Sequence, residues 1–167
     1  MKQKDKSSYD PQTHGIPYGQ DYLISRRMKR KGWFFNPDSG GVKIPDAVKI
    51  RTGSRIQKYA DENFSGKYIR LDIHFHGQFC YIDAYTEPEI PLGLPPSNLP
   101  ETQEEYIERL RNTPTHLCRL RFFGDEDKWG FAFYSYAGEK YEMSVFPDGE
   151  FTGKPEDAFQ VSAEAYL

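Results

Sequence analysis

A chain of 167 residues is long enough for one domain that buries roughly 70% of its unfolded surface. The net charge of −3 sets no global preference for nucleic acid or an anionic membrane, and no run approaches the roughly 18 apolar residues of a membrane span. Only 37% of residues are hydrophobic but 16% are aromatic, so Phe, Tyr and Trp, burying about 150–250 Å² each, are expected to build the core.

Residues 1–13 are polar and charged and are expected to be a disordered tail. Positive charge there is followed by no apolar run, which argues against a secretory signal. Cys80 and Cys118 lack the CxxC spacing of a zinc or redox site, and a reduced, cytoplasmic protein is the simplest expectation. Residues 14–43 read as an irregular segment packing on a domain formed by residues 44–167. The segment carries a basic run, Arg26, Arg27, Lys29, Arg30 and Lys31, then Trp33, Phe34 and Phe35. A solvated cationic stretch with a docked aromatic end is preferred to an arm for nucleic acid. Residues 36–41, Asn-Pro-Asp-Ser-Gly-Gly, read as a turn or hinge. A helix is expected from Pro45 to Phe64, with Ala47, Val48, Ile56, Tyr59 and Ala60 at helical spacing. Gly53 leaves open two shorter helices, and Ser65-Gly66 suits the carboxy-terminal cap.

The hairpin that follows is the most strongly patterned stretch. Ile69, Leu71, Ile73 and Phe75 alternate with Arg70, Asp72, His74 and His76, the period of a strand with two chemically different faces. Gly77-Gln78 fits a two-residue type II′ turn, glycine first because that position needs a positive φ. The register then pairs Phe75 with Cys80, Ile73 with Ile82 and Leu71 with Ala84 on the apolar face. It pairs His76 with Phe79, His74 with Tyr81, Asp72 with Asp83 and Arg70 with Tyr85 on the polar one.

Five prolines make residues 87–100 an extended loop. Thr102 and Glu105 form a capping box for a short helix with Tyr106, Ile107 and Leu110 on one side. A strand over residues 115–123 places His116, Cys118, Leu120 and Phe122 together, against Leu117, Arg119, Arg121 and Phe123. The next puts Trp129, Phe131 and Phe133 on one face, with Tyr134 and Tyr136 on the other. After a turn at Ala137-Gly138-Glu139, Met143 and Val145 are expected inward, with Glu142 and Ser144 on the polar face. Pro155 opens a last helix with Ala158, Phe159, Ser162, Ala165 and Tyr166 as its buried stripe. The order helix-β-β-helix-β-β-β-helix describes an α+β domain, an antiparallel sheet of about five strands with helices packed on one face.

The phrases YIDAYTEP and FAFYSY, with THLCRLRFFGDEDKW between them, resemble segments of a set of uncharacterised bacterial proteins. The resemblance runs from residue 44 onward. It implies no activity, cofactor or catalytic residue, so function has to be argued from a site.

The polar face supplies that argument. Arg70, Tyr81, Tyr85, Arg119, Arg121, Tyr134 and Tyr136 are expected to share it, and these residue types suit binding surfaces better than a plain solvated face. Covering of this face by residues 14–43 is preferred to an open cleft. Asp72 opposite Asp83 is a like-charge rung that needs neutralising. Arg119 and Arg121 are the expected partners. Alternatively, one aspartate acts as a general base with His74 beside it, which suits a hydrolase or phosphodiesterase, metal-assisted or not. His74 and His76, two apart on one strand, are candidate metal ligands, whereas His116 is placed on the other face. The cysteines point into the apolar layer and read as inert thiols. The favoured reading is a non-catalytic binding protein for a small molecule or another protein. The hydrolase follows, and single-stranded nucleic acid is a third reading. The cofactor is left unknown, a metal at His74 and His76 being the one candidate weighed.

Overall fold

Val48, Thr52, Ile56 and Ala60 recur every fourth residue, and this buried stripe runs along one unbroken helix, α1 (Asp46–Asn63). The computed structural model describes residues 38–89 and 100–167. The tail at 1–13, the basic–aromatic run and most of the proline-rich loop therefore lie outside the described residues. Pro45 is the cap residue of α1 rather than its first helical residue, and Ala47, expected inward, is exposed. Gly53 interrupts nothing: it faces Phe75, whose ring lies 3.9 Å from where a Cβ would stand.

The first hairpin, β1 (Arg70–His76) and β2 (Phe79–Tyr85), has every expected rung, from Arg70–Tyr85 to His76–Phe79. Gly77 has φ 59, the value that its turn position demands. After α2 (Gln103–Arg111) come β3 (Thr115–Phe122), β4 (Trp129–Ser135), β5 (Lys140–Ser144), a two-residue β6 (Thr152–Gly153) and α3 (Pro155–Tyr166). The sheet order is β1-β2-β3-β4-β5, antiparallel throughout, with β6 beside β4. Thr102 and Glu105 form the expected reciprocal cap on α2, a helix with no fully buried residue. Helices α1 and α3 instead cover the apolar face of the sheet.

Ile56, Ile82, Leu117, Leu120, Trp129 and Phe159 are among the large fully buried side chains of the core. The buried side of α3 is Ala158, Phe159, Ser162 and Ala163; Ala165, expected in the stripe, is exposed. Arg55 fastens the helical layer by donating to Glu156 at 2.6 Å and to Asp127 at 2.8 Å, so that α1 holds both the start of α3 and the β3–β4 loop. No described helix is long and apolar enough to cross a membrane.

Two irregularities correct the expected facing of side chains. Ile82 pairs with Cys118 and Asp83 with His116, so Leu117 is an extra residue on β3, a bulge. Strict alternation placed His116 with Cys118; the bulge turns it to the face of Asp83. The β4–β5 connection has four residues between the pair Ser135–Lys140, not the three of the expected turn. One added residue exchanges the faces of a strand. Tyr141 and Met143 therefore lie opposite Tyr134 and Ala132 on the polar face, while Glu142 and Ser144 oppose Phe133 and Phe131.

Candidate functional site

Asp72 and Asp83 meet as the hairpin register requires, and imidazoles rather than guanidiniums stand beside the rung. His116 Nδ1 lies 2.8 Å from Asp83 Oδ1. His74 Nδ1 lies 3.8 Å from Asp72 Oδ2 and 4.0 Å from Asp83 Oδ2. Among the described residues no arginine pairs with either aspartate. Arg119 donates to Asp38 at 2.7 Å, and Arg121 donates to the Ser39 carbonyl.

The turn at Asp38 explains this allegiance. Gly41 sits at φ 87 with its Cα against β3, where a Cβ would stand 2.8 Å from the Phe122 carbonyl. Val42 N–H donates to that carbonyl at 2.9 Å. Only glycine permits so close an approach. It brings Asp38 and Ser39 onto the arginine end of the polar face. Burial, with the Arg119 charge beside it, holds Arg121 below the ordinary guanidinium range.

Ring contacts form a circuit over this face. His74 stacks on Tyr81 with centroids 5.0 Å apart and planes 5° apart. Tyr81 meets Tyr141 at 5.6 Å, Tyr141 meets Tyr134 at 5.1 Å, and Tyr134 meets His116 at 4.7 Å. The Asp83 carboxylate closes the circuit between the two imidazoles. Tyr81 on β2 and Tyr141 on β5 are separated by two intervening strands, about 14 Å in a flat sheet. Their contact means that the polar face is concave. Gly130 and Ala132, opposite Arg121 and Arg119 on the floor of β4, leave space for the curl. The Arg119 guanidinium lies within this wall, 4.8 Å from the Tyr141 ring and 4.5 Å from Phe79.

Exposure divides the cluster. Asp83 keeps 9% of its side-chain surface, whereas Asp72 keeps 52% and His74 48%. The carboxylate is thus the floor, with Asp72 and His74 at the mouth. Burial raises the Tyr141 hydroxyl well above its ordinary range, and the negative charge of Asp83 adds to the effect. Tyr136 accepts the His116 backbone N–H at 2.8 Å, which pins the bulge in place. An open hollow of about 520 Å³ adjoins Tyr134 and Tyr141 and also borders Asp38, Arg119 and Met143.

Sequence-expected residues separate accordingly. Asp72, His74 and Asp83 converge, with one ligand atom of each within 4.8 Å of the others. His76 is outside that cluster, opposite Phe79 near the hairpin turn. Arg70 stacks on Tyr85, 3.6 Å from the ring centroid, at the far end of the hairpin. Cys80 and Cys118 are buried thiols; burial pushes Cys118 up to about 12 and Cys80 up as well, so neither is a nucleophile at neutral pH. His116 and Tyr141 were missed. A bulge carries no signature in residue type, and a three- and a four-residue loop read alike around Ala137-Gly138.

Fold and cluster together define an α+β antiparallel-sheet protein with a His–Asp–Tyr cluster on the polar face of its sheet. No protein-family model, curated protein or solved structure matches the chain.

Proposed function

We propose that this chain is a non-catalytic binding protein that seats a small cation against Asp83 on the concave face of its sheet. The position of Asp83 carries the reading. It is an acceptor-only carboxylate, nearly buried, opposite a second carboxylate and among imidazole and phenol rings. Negative charge and aromatic faces in one recess both favour a cation. The hollow bordered by Tyr134 and Tyr141, the tyrosines of the ring circuit, leaves space for the remainder of an organic ligand or a partner's side chain.

Titrating the protein with tetramethylammonium chloride and with divalent metal chlorides, while following the ring resonances of Tyr81 and Tyr141, tests this. A saturable shift that disappears in Asp83→Asn is expected. Response to sulfate instead, or an equal response in Asp83→Asn, would overturn the reading.

A second reading, a hydrolase or phosphodiesterase, is favoured by the convergence of Asp72, His74 and Asp83. Turnover of bis-p-nitrophenyl phosphate by the intact protein and not by Asp83→Asn would decide for it. Single-stranded nucleic acid has less support: the carboxylates of Asp72 and Asp83 share the face with Tyr81, Tyr134 and Tyr141 and repel phosphates.

A further inference from the structure

We infer that the cation is a zinc-class divalent metal, bound by Asp72, His74 and Asp83 with His116 as the residue that positions Asp83. The inference rests on the cation seat argued above and adds the ligands and the chemical class.

Ions of this class hold carboxylate oxygen and imidazole nitrogen at about 2.0–2.2 Å, so donors sharing one ion at the tetrahedral angle lie about 3.4 Å apart. The His74 Nδ1 distances of 3.8 and 4.0 Å to the two aspartates, with all three donor atoms within 4.8 Å of one another, are slightly wider than that. Asp72 and His74 are half exposed and free to draw in by a few tenths of an ångström. The strands fix their origins: Asp72 and His74 are two apart on β1, and Asp83 is the cross-strand partner of Asp72. Three ligands from one rigid hairpin leave the remaining coordination positions toward solvent.

His116 completes the arrangement from behind. With the proton on Nδ1 of His116, the 2.8 Å contact is a donation to Asp83 Oδ1. That bond keeps Oδ2 directed at His74. A histidine–carboxylate bond around a metal ligand fixes its orientation in this way. The tilted contact with Tyr134 and the N–H bond to Tyr136 hold His116 itself. One imidazole nitrogen with two carboxylates suits zinc or manganese, and the nitrogen disfavours calcium and magnesium.

Calorimetric titration of the full chain, freed of metal by a chelator, with zinc, manganese, calcium and magnesium chlorides tests the inference. One equivalent of zinc or manganese is expected to bind, with calcium and magnesium weaker. Asp72→Asn and His74→Ala should weaken binding at least tenfold. His116→Gln should weaken it about 10–100-fold, the range for a positioning partner. His76→Ala should bind as the intact protein does. Circular dichroism of Asp72→Asn, altered at an exposed residue, guards against misfolding as the cause. Absence of saturable zinc or manganese binding overturns the inference, as does undiminished binding in His74→Ala or loss in His76→Ala. If tetramethylammonium still shifts Tyr81 while metals do not bind, the metal fails and the cation seat stands. If neither binds, both fail.

Discussion

His116 reaches Asp83 because β3 spends one residue more than β2 between their shared rungs, with Leu117 as the surplus. The surplus residue is itself fully buried, so the bulge is fixed from the apolar side by packing and from the polar side by the His–Asp bond. Truncating His116 to Ala leaves a nearly buried carboxylate short of its best partner. A loss of about 1–3 kcal/mol in urea denaturation is expected. An unchanged midpoint would mean that the contact contributes nothing to stability.

The hairpin turn gives a second test. A Cβ at Gly77 meets nothing within 4 Å, so substitution there is opposed by backbone conformation alone. Gly77→Ala should cost about 1–2 kcal/mol, the penalty for placing an L-residue at positive φ. Replacement by D-alanine in a semisynthetic chain should restore stability.

The inward face of α3 gives a third. Phe159 is fully buried and meets Tyr59 and Phe64 edge-on. Phe159→Ala should cost about 3–5 kcal/mol by denaturant titration. Ala165→Lys, one turn and a half further on and exposed, should stay within about 0.5 kcal/mol.

Alkaline pH gives a fourth. Burial raises Cys80, Cys118, Tyr68 and Tyr141 above the ordinary values of 9.0 for a thiol and 10.0 for a phenol. For Cys118 and Tyr68 the folded values are about 12. A raised folded pKa means that unfolding releases protons once the unfolded group titrates. Stability from these groups is therefore complete below pH 9 and falls as pH climbs toward 12. Thermal midpoints measured from pH 7 to pH 11 should decline from about pH 9 upward. A flat profile would contradict the burial argument. Ellman's reagent at pH 8 should find two thiols in urea and none in the native state.

Where local chemistry alone decides, the residues spoke for themselves. A glycine-led turn and matching alternation on both strands left the first hairpin only one register, and Thr102 with Glu105 announced the start of α2. What stayed hidden depends on a single inserted residue or on distant partners. Leu117 is as apolar as the residues around it, so nothing in its type tells a bulge from regular alternation. The extra loop residue before Lys140 exchanged Tyr141 for Glu142 on the polar face. Arg119 was assigned to the aspartates because it shares their face, yet Asp38, 81 residues earlier, holds it. The rung Asp72–Asp83 was legible, and its histidine partner from β3 was not.

The most direct measurement is long-range ¹H–¹⁵N correlation of the histidine rings, recorded on the intact protein and on Asp83→Asn. The account expects His116 to carry a hydrogen-bonded proton on Nδ1, with both ring nitrogens of His116 and His74 shifting in the variant and His76 unmoved. A His116 ring indifferent to the loss of the Asp83 charge, or a shift centred on His76, would contradict the account.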